Sequence, residues 1–212
     1  SNYGLIGDDE LANEGVELNP LSLYAKAKVA MEKKILSGKG KVDYQGVVLR
    51  FATAFGLAPR MRFDLTVSQF TREMHLGNDL LVYDAKTWRP YCHVEDFSEV
   101  IRRVIEAPAE NVGFEVFNAG GDINNFTKQM IIDAIKELLP DARVSYQEHG
   151  SDPRNYRVDF SKIREVLLFE PRYTVEDGIR ELINALRKSQ FQDVPERPNF
   201  YGNFEIEYPS GK

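Results

Sequence analysis

Hydrophobic and polar positions change period several times along this chain, and each change predicts an element. Over 20–37 the residues suit a helix interior, with no glycine or proline between Pro20 and Gly38. Leu23, Ala27, Ala30, Met31 and Ile35 recur there as an apolar strip at helical spacing. Asn19 is a good N-cap, and Pro20 is pre-set for the first helical position. Over 42–51 the pattern turns β-rich, and the unbroken run Val47-Val48-Leu49 fits a strand buried on both faces, as in a parallel sheet. Residues 52–62, with Gly56 and Pro59, read as a loop. A helix is predicted over 63–76, with Asp64 as cap and Gly77 as stop. Short strands follow at 80–83 and 91–94, then a helix over 95–107 ending before Pro108. A strand at 114–118 is closed by Gly120-Gly121. Thr127 caps a helix over 128–139, and Pro140 stops it. A strand at 144–147, a short helix at 161–168 and a helix from Thr174 to about 188 complete the series. Residues 1–18 read as a polar surface loop, and the last two dozen as an extended arm. Strands alternating with helices predict an α/β fold with a mostly parallel sheet.

One pair on the first helix carries candidate chemistry. Tyr24 and Lys28 are four residues apart and share a face. An ammonium beside a phenol favours the phenolate and lowers the tyrosine pKa from its ordinary value of about 10. A poor base then becomes usable near neutral pH. The plainer alternative is an exposed helix pair, since Y-x-x-x-K is short and both residues are common. Other polar residues have plain readings too. Arg50 and Arg62 read as surface charges, His93 as a structural histidine between strand and helix, Asp96 as a helix N-terminal charge, and Asp159 as a cap or a ligand.

Composition narrows the field. The 212 residues, 42% hydrophobic and 28% charged, are enough for a soluble domain with one substantial core. A net charge of −6 with no basic block of nucleic-acid type argues against a nucleic-acid partner. The single cysteine, Cys92, fits a reducing compartment. His75, His93 and His149 have no metal-ligand spacing, so no metal is expected. No apolar run is long enough for a membrane span, and a cytoplasmic location is expected. No G-x-G-x-x-G follows a strand, and there is no Walker A loop, so the usual glycine turn for a dinucleotide is not in this sequence.

Five motifs in order carry a resemblance. They are Ser1-Asn2-Tyr3-Gly4, the stretch from Asn19 to Lys28, Leu49-Arg50-Phe51-Ala52-Thr53 with Gly56, Arg89-Pro90-Tyr91-Cys92-His93 with Asp96, and Asp152-Pro153-Arg154 with Asp159; Thr174 to Gly178 closes the series. Together the chain resembles the extended short-chain dehydrogenase/reductases, in particular the NAD-dependent nucleotide-sugar epimerase/dehydratase group, over residues 1 to about 187.

The resemblance implies the C-terminal portion of a Rossmann-type parallel-sheet domain plus a smaller α/β substrate-binding domain. Residues 1–58 would be the remainder of the Rossmann domain and 59–190 the substrate-binding region, with 86–119 returning to the Rossmann sheet and 191–212 an arm. The family's glycine loop, roughly a hundred residues upstream, and its catalytic Ser or Thr, just before Ser1, would lie outside this sequence. The 212 residues alone are therefore expected to be inactive. By resemblance Tyr24 is the acid/base on a sugar hydroxyl, and Lys28 binds the nicotinamide ribose. Ala52 touches the cofactor, with Thr53 on the substrate, where the family carries Phe-Asn. Gln69 and Arg89 meet the diphosphate, Tyr83 lies near the base, and Arg154 replaces a second phosphate arginine whose place is taken by His149. The implied cofactor is NAD in preference to NADP, and the implied substrate a nucleotide-diphospho-sugar. The implied reaction is 4-epimerisation through a keto-sugar, with dehydratase, reductase, decarboxylase or a non-catalytic scaffold as alternatives. A homodimer through helices 20–37 and 63–76 is also implied, with Val67, Phe70 and Met74 supplying bulk.

Overall fold

Ser22, not Asn19, opens the first helix: its hydroxyl accepts from the Ala25 amide at 3.2 Å. A serine two residues beyond Pro20 satisfies a free helical N–H better than the predicted Asn-Pro start. The computed structural model describes residues 2–4, 6, 10–150 and 154–203, so Asp152 of the fifth motif lies outside the described residues. In chain order the elements are β1 (Leu11–Ala12), α1 (Leu23–Leu36), β2 (Val48–Phe51), β3 (Thr53–Phe55), α2 (Thr66–His75), β4 (Leu80–Tyr83), β5 (Trp88–His93) and α3 (Val94–Glu106). There follow α4 (Ala109–Val112), β6 (Val116–Ala119), β7 (Asn125–Thr127), α5 (Lys128–Leu138), β8 (Val144–Gln147), β9 (Arg157–Val158), α6 (Ser161–Leu167), α7 (Val175–Arg187) and α8 (Pro198–Tyr201).

Strand pairing is parallel with one exception. β2 pairs β6 from Val48↔Val116 to Phe51↔Ala119, β3 pairs β5, β4 pairs β8 and β1 pairs β9, all parallel. Among the described residues only β5 with β7 is antiparallel, Trp88 opposite Thr127. The chain therefore leaves one sheet at Phe51 and enters another at Thr53, with Ala52 as the hinge. Residues 53–55 were expected to be loop; pairing with β5 makes them a strand, which tertiary context decides more than propensity does. In the same way the strand predicted over 42–51 begins only at Val48, where β6 first offers a partner.

Two apolar clusters sit on either side of that hinge. One gathers Phe55 from β3 with Val67, Phe70, Met74, Ile131, Ile135, Ile179 and Ile183 from α2, α5 and α7. The other gathers Tyr3, Val100, Phe117, Tyr156, Phe160 and Ile163 around β6 and α6. Val67, Phe70 and Met74 are thus core residues of this chain and cannot supply a dimer surface, correcting the sequence expectation. The 3.6-residue spacing that marked them as an apolar stripe is real, but α5 and α7 cover it. Asp64 is not the α2 cap either. Arg62 donates to both its carboxylate oxygens at 2.6 and 2.5 Å, and Leu65 stands at the cap position with no side-chain bond.

Candidate active site

Helix α1 lies on the sheet through only three buried residues, Ala25, Val29 and Glu32. Tyr24 and Lys28 each precede one of these, so they sit on the rim of the buried stripe. Tyr24 is 66% exposed. The Lys28 ammonium lies 5.5 Å from the Tyr24 ring centroid, a cation–π distance.

A cavity of about 720 Å³ opens beside Tyr24. Its wall brings together seven of the eight residues singled out from the sequence: Tyr24, Ala52, Thr53, Gln69, Tyr83, Arg89 and Arg154. The eighth, Lys28, lines a second groove of about 350 Å³ with Glu32, Arg50 and Asn118. Tyr24, Phe51, Ala52 and Tyr156 border both, so the two spaces meet at the tyrosine. Their meeting point is the carboxyl end of parallel strand β2, where open α/β sheets place ligands.

The cavity's cations are held by backbone oxygens and aromatic faces. Arg89 donates to the Trp88 carbonyl at 2.7 Å and to the Arg154 carbonyl, and its guanidinium lies 5.3 Å from the Tyr156 ring centroid. Lys128 donates to the Tyr83 carbonyl at 2.6 Å and also lines the cavity. Sequence reading missed Lys128 and Tyr156. Thr127 does mark residue 128 as the first of its helix, but no local pattern says that this helix end faces a cavity. Tyr91 lines the same space, and burial pushes its phenol up to about 12, so it keeps its proton at neutral pH.

Several polar residues have structural work. Arg50 was read as a surface charge; it is instead buried against Glu32, with side chains 8% and 7% exposed and a closest contact of 2.5 Å. Burial works against the Arg50 charge, but hydrogen bonds to Glu32 and Tyr3 outweigh it and leave the guanidinium above its ordinary value. His93 accepts from the Glu95 amide at Nδ1, capping α3, and meets Glu181 through Nε2 at 3.0 Å. That assigns the Nε2–H tautomer and a structural role. Asp96, read as a helix-end charge, is buried and accepts from the Arg172 and Tyr173 amides. Asp159 accepts from the Ser161 amide at 2.8 Å from the position before Phe160, which stands at the α6 cap. The His149 amide donates to Asp84, at a backbone φ of 66°. Among the described residues no group of three His, Cys, Asp or Glu side chains could hold a metal ion, and no helix is long and apolar enough to cross a membrane.

The groove beside Lys28 is of ligand size, within the usual range of about 300–1,000 Å³. An ammonium and a phenol at its mouth suit the hydroxyls of a ribose, which both accept and donate. No glycine turn for a pyrophosphate follows any strand in the sequence, so of a dinucleotide these residues suit a ribose and supply no phosphate cradle.

Over residues 1–120 the sequence matches the NAD dependent epimerase/dehydratase family. It is 26% identical over 168 residues to a UDP-glucuronate 4-epimerase of Thermodesulfobacterium geofontis, covering 78% of this chain and 50% of that protein. It is 31% identical over 140 residues to UDP-glucuronic acid decarboxylase 6 of Arabidopsis thaliana, covering 63% and 39%. The fold superposes on dTDP-glucose 4,6-dehydratase of Bacillus anthracis, solved with NAD, at a TM-score of 0.78 and 25% identity, covering 90% of this chain and 60% of that one. It also superposes on the UDP-glucose 4-epimerase of Thermotoga maritima at a TM-score of 0.77 and 24% identity, covering 88% and 60%. The chain spans about half the length of the curated relatives it matches.

Proposed function

The chain belongs to the NAD-dependent epimerase/dehydratase family, and on that premise we propose that the whole protein is a cytoplasmic 4-epimerase of a nucleotide-diphospho-sugar, working through a keto-sugar. The observation that carries this reading is the convergence of Tyr24, Thr53, Gln69, Tyr83, Arg89 and Arg154, spread over 130 residues of sequence, on one cavity. In this reading Tyr24 takes the proton from the sugar hydroxyl as that carbon is oxidised, and returns it when the ketone is reduced from the other face. NAD, when bound, supplies the site that accepts and gives back the hydride. The Lys28 ammonium, beside the Tyr24 ring, holds the ribose hydroxyls. Thr53 and the backbone at Ala52 line the junction where sugar and nicotinamide meet. Arg89 and Arg154 set positive charge against the diphosphate, with Gln69 as a neutral donor, and Tyr83 packs at the base. The Tyr156 ring and the Trp88 and Arg154 carbonyls hold the Arg89 guanidinium in the cavity wall before substrate arrives.

Epimerisation is favoured over dehydration because, by the resemblance, dehydratases of this group carry Asp-Glu after the catalytic hydroxyl, and the position of that Glu is Ser1 here. Decarboxylation is the second reading, favoured by the 31% identity to a UDP-glucuronic acid decarboxylase. For the homodimer we propose the outer strip of α1, where Leu23, Ala27, Ala30 and Met31 are exposed, in place of the buried apolar residues of α2.

The test is proton NMR of UDP-glucose and of UDP-glucuronic acid incubated with the full-length protein and NAD. Appearance of the 4-epimer of either sugar is expected. Loss of carboxylate with a pentose product would establish the decarboxylase reading instead, and two unchanged substrates would contradict both.

A further inference from the structure

We propose that the buried Arg50–Glu32 pair is a positioning device that sets where Tyr24 stands over the cavity; this rests on the reading of Tyr24 given above. Helix α1 is lightly held at its Tyr24 end. Its buried residues besides Glu32 are Ala25 and Val29, both small. Ile35 and Leu36 are half-buried at the far end of the helix, so at the Tyr24 end two small apolar anchors leave it free to roll. Among the described residues, Glu32 carries every hydrogen bond that joins α1 to the sheet. Arg50 on β2 donates from Nε to Glu32 Oε2 at 3.0 Å and from Nη2 to Oε1 at 2.5 Å. Two parallel bonds between planar groups fix direction as well as distance. Tyr24, Lys28 and Glu32 follow one another at intervals of four, so a shift at Glu32 is carried along the stripe to the tyrosine.

The other side of Arg50 is equally fixed. Nη1 donates to the Tyr3 hydroxyl at 2.8 Å and to the Glu14 carbonyl at 3.3 Å. Tyr3 in turn donates to Asn118 on β6 at 2.5 Å, and the Asn118 amide donates to the Glu14 carboxylate at 2.7 Å. One guanidinium thus references the Tyr24 helix to β2, to β6 and to the segment at Tyr3. A buried pair of this kind is weak evidence for stability, because well-packed apolar replacements often match it. Its distinguishing contribution is geometric, and that separates it from a purely structural role.

The test compares full-length wild type with the double variant Glu32→Met/Arg50→Met and with Arg50→Lys, which keeps the charge but not the paired bonds. Turnover is measured with NAD on UDP-glucose and UDP-glucuronic acid, beside amide hydrogen exchange of 23–36 and, as reference, of 94–106. The expected result is a folded double variant whose kcat falls about 10- to 100-fold with KM within about twofold. Exchange should quicken over 23–36 and stay unchanged over 94–106. If the double variant does not fold, Arg50→Lys must show the same kcat loss and the same local exchange. Wild-type kcat and wild-type exchange over 23–36 in a folded variant overturn the proposal. If wild type converts neither sugar, the functional reading fails while exchange still decides the positioning claim.

Discussion

Gly56 has no room for a side chain. Its φ is +97°, and an added Cβ would lie 2.1 Å from His93 Nε2. Gly56→Ala therefore combines a left-handed backbone with displacement of the histidine that caps α3. We expect a loss of about 1–3 kcal/mol in urea unfolding. The sequence marked this glycine only as part of a loop, because the clash partner lies 37 positions away. Tyr24 and Lys28 were legible for the opposite reason: their relation is local, four residues on one helix. Arg50 was misread as a surface charge since its partner, Glu32, belongs to another element and nothing in either neighbourhood signals burial. Arg89 sits in the cavity wall, and Arg89→Met in the full-length protein is expected to raise the Kd for UDP, by calorimetry, about tenfold or more, the loss of a charge-assisted bond of about 1.5–3 kcal/mol.

At the scale of elements, caps and stops were readable where one side chain decides them. Thr174 opens α7 with a capping box: its hydroxyl accepts from the Asp177 amide, while Asp177 accepts from the Thr174 amide at 2.9 Å. Thr174→Ala should lower stability by about 1 kcal/mol, seen as a lower Tm. That backbone bond holds the Asp177 carboxyl below its ordinary value. A depressed carboxylate contributes stability above its unfolded pKa of about 4 and loses it as pH falls through the folded value. The gap in denaturant midpoint between wild type and Asp177→Ala should thus be open at pH 7 and shrink steadily below about pH 4. Thr127, predicted as a cap, does accept from the Met130 amide at 3.1 Å. By contrast β7 and β9, three and two residues long, have no period of their own to read. They exist because β5 and β1 lie beside them, which is a tertiary fact.

Across the whole molecule, the apolar strips of the two helices have different fates. Phe70 belongs to the core between α2, α5 and α7, whereas Ala30 faces outward from α1. Phe70→Glu should unfold the chain, read by circular dichroism, because it buries an unpaired carboxylate. Ala30→Glu should leave the fold intact and, if α1 pairs with its copy, lower the sedimentation coefficient of the full-length protein. The α/β class and the mostly parallel pairing were legible in the alternation of elements. The candidate site was legible as a set of residue types but not as a place, since its wall is assembled from α1, β2, β3, α2, β4, β5, α5 and the 154–156 segment only by folding. The claim that joins all three scales is that Tyr24 performs the proton transfer at the mouth of this cavity. It is tested most directly by kcat of full-length Tyr24→Phe on the converted nucleotide sugar, with UDP affinity measured alongside. A fall of about 10²–10⁴ in kcat with affinity unchanged is expected. A variant with wild-type kcat would contradict it.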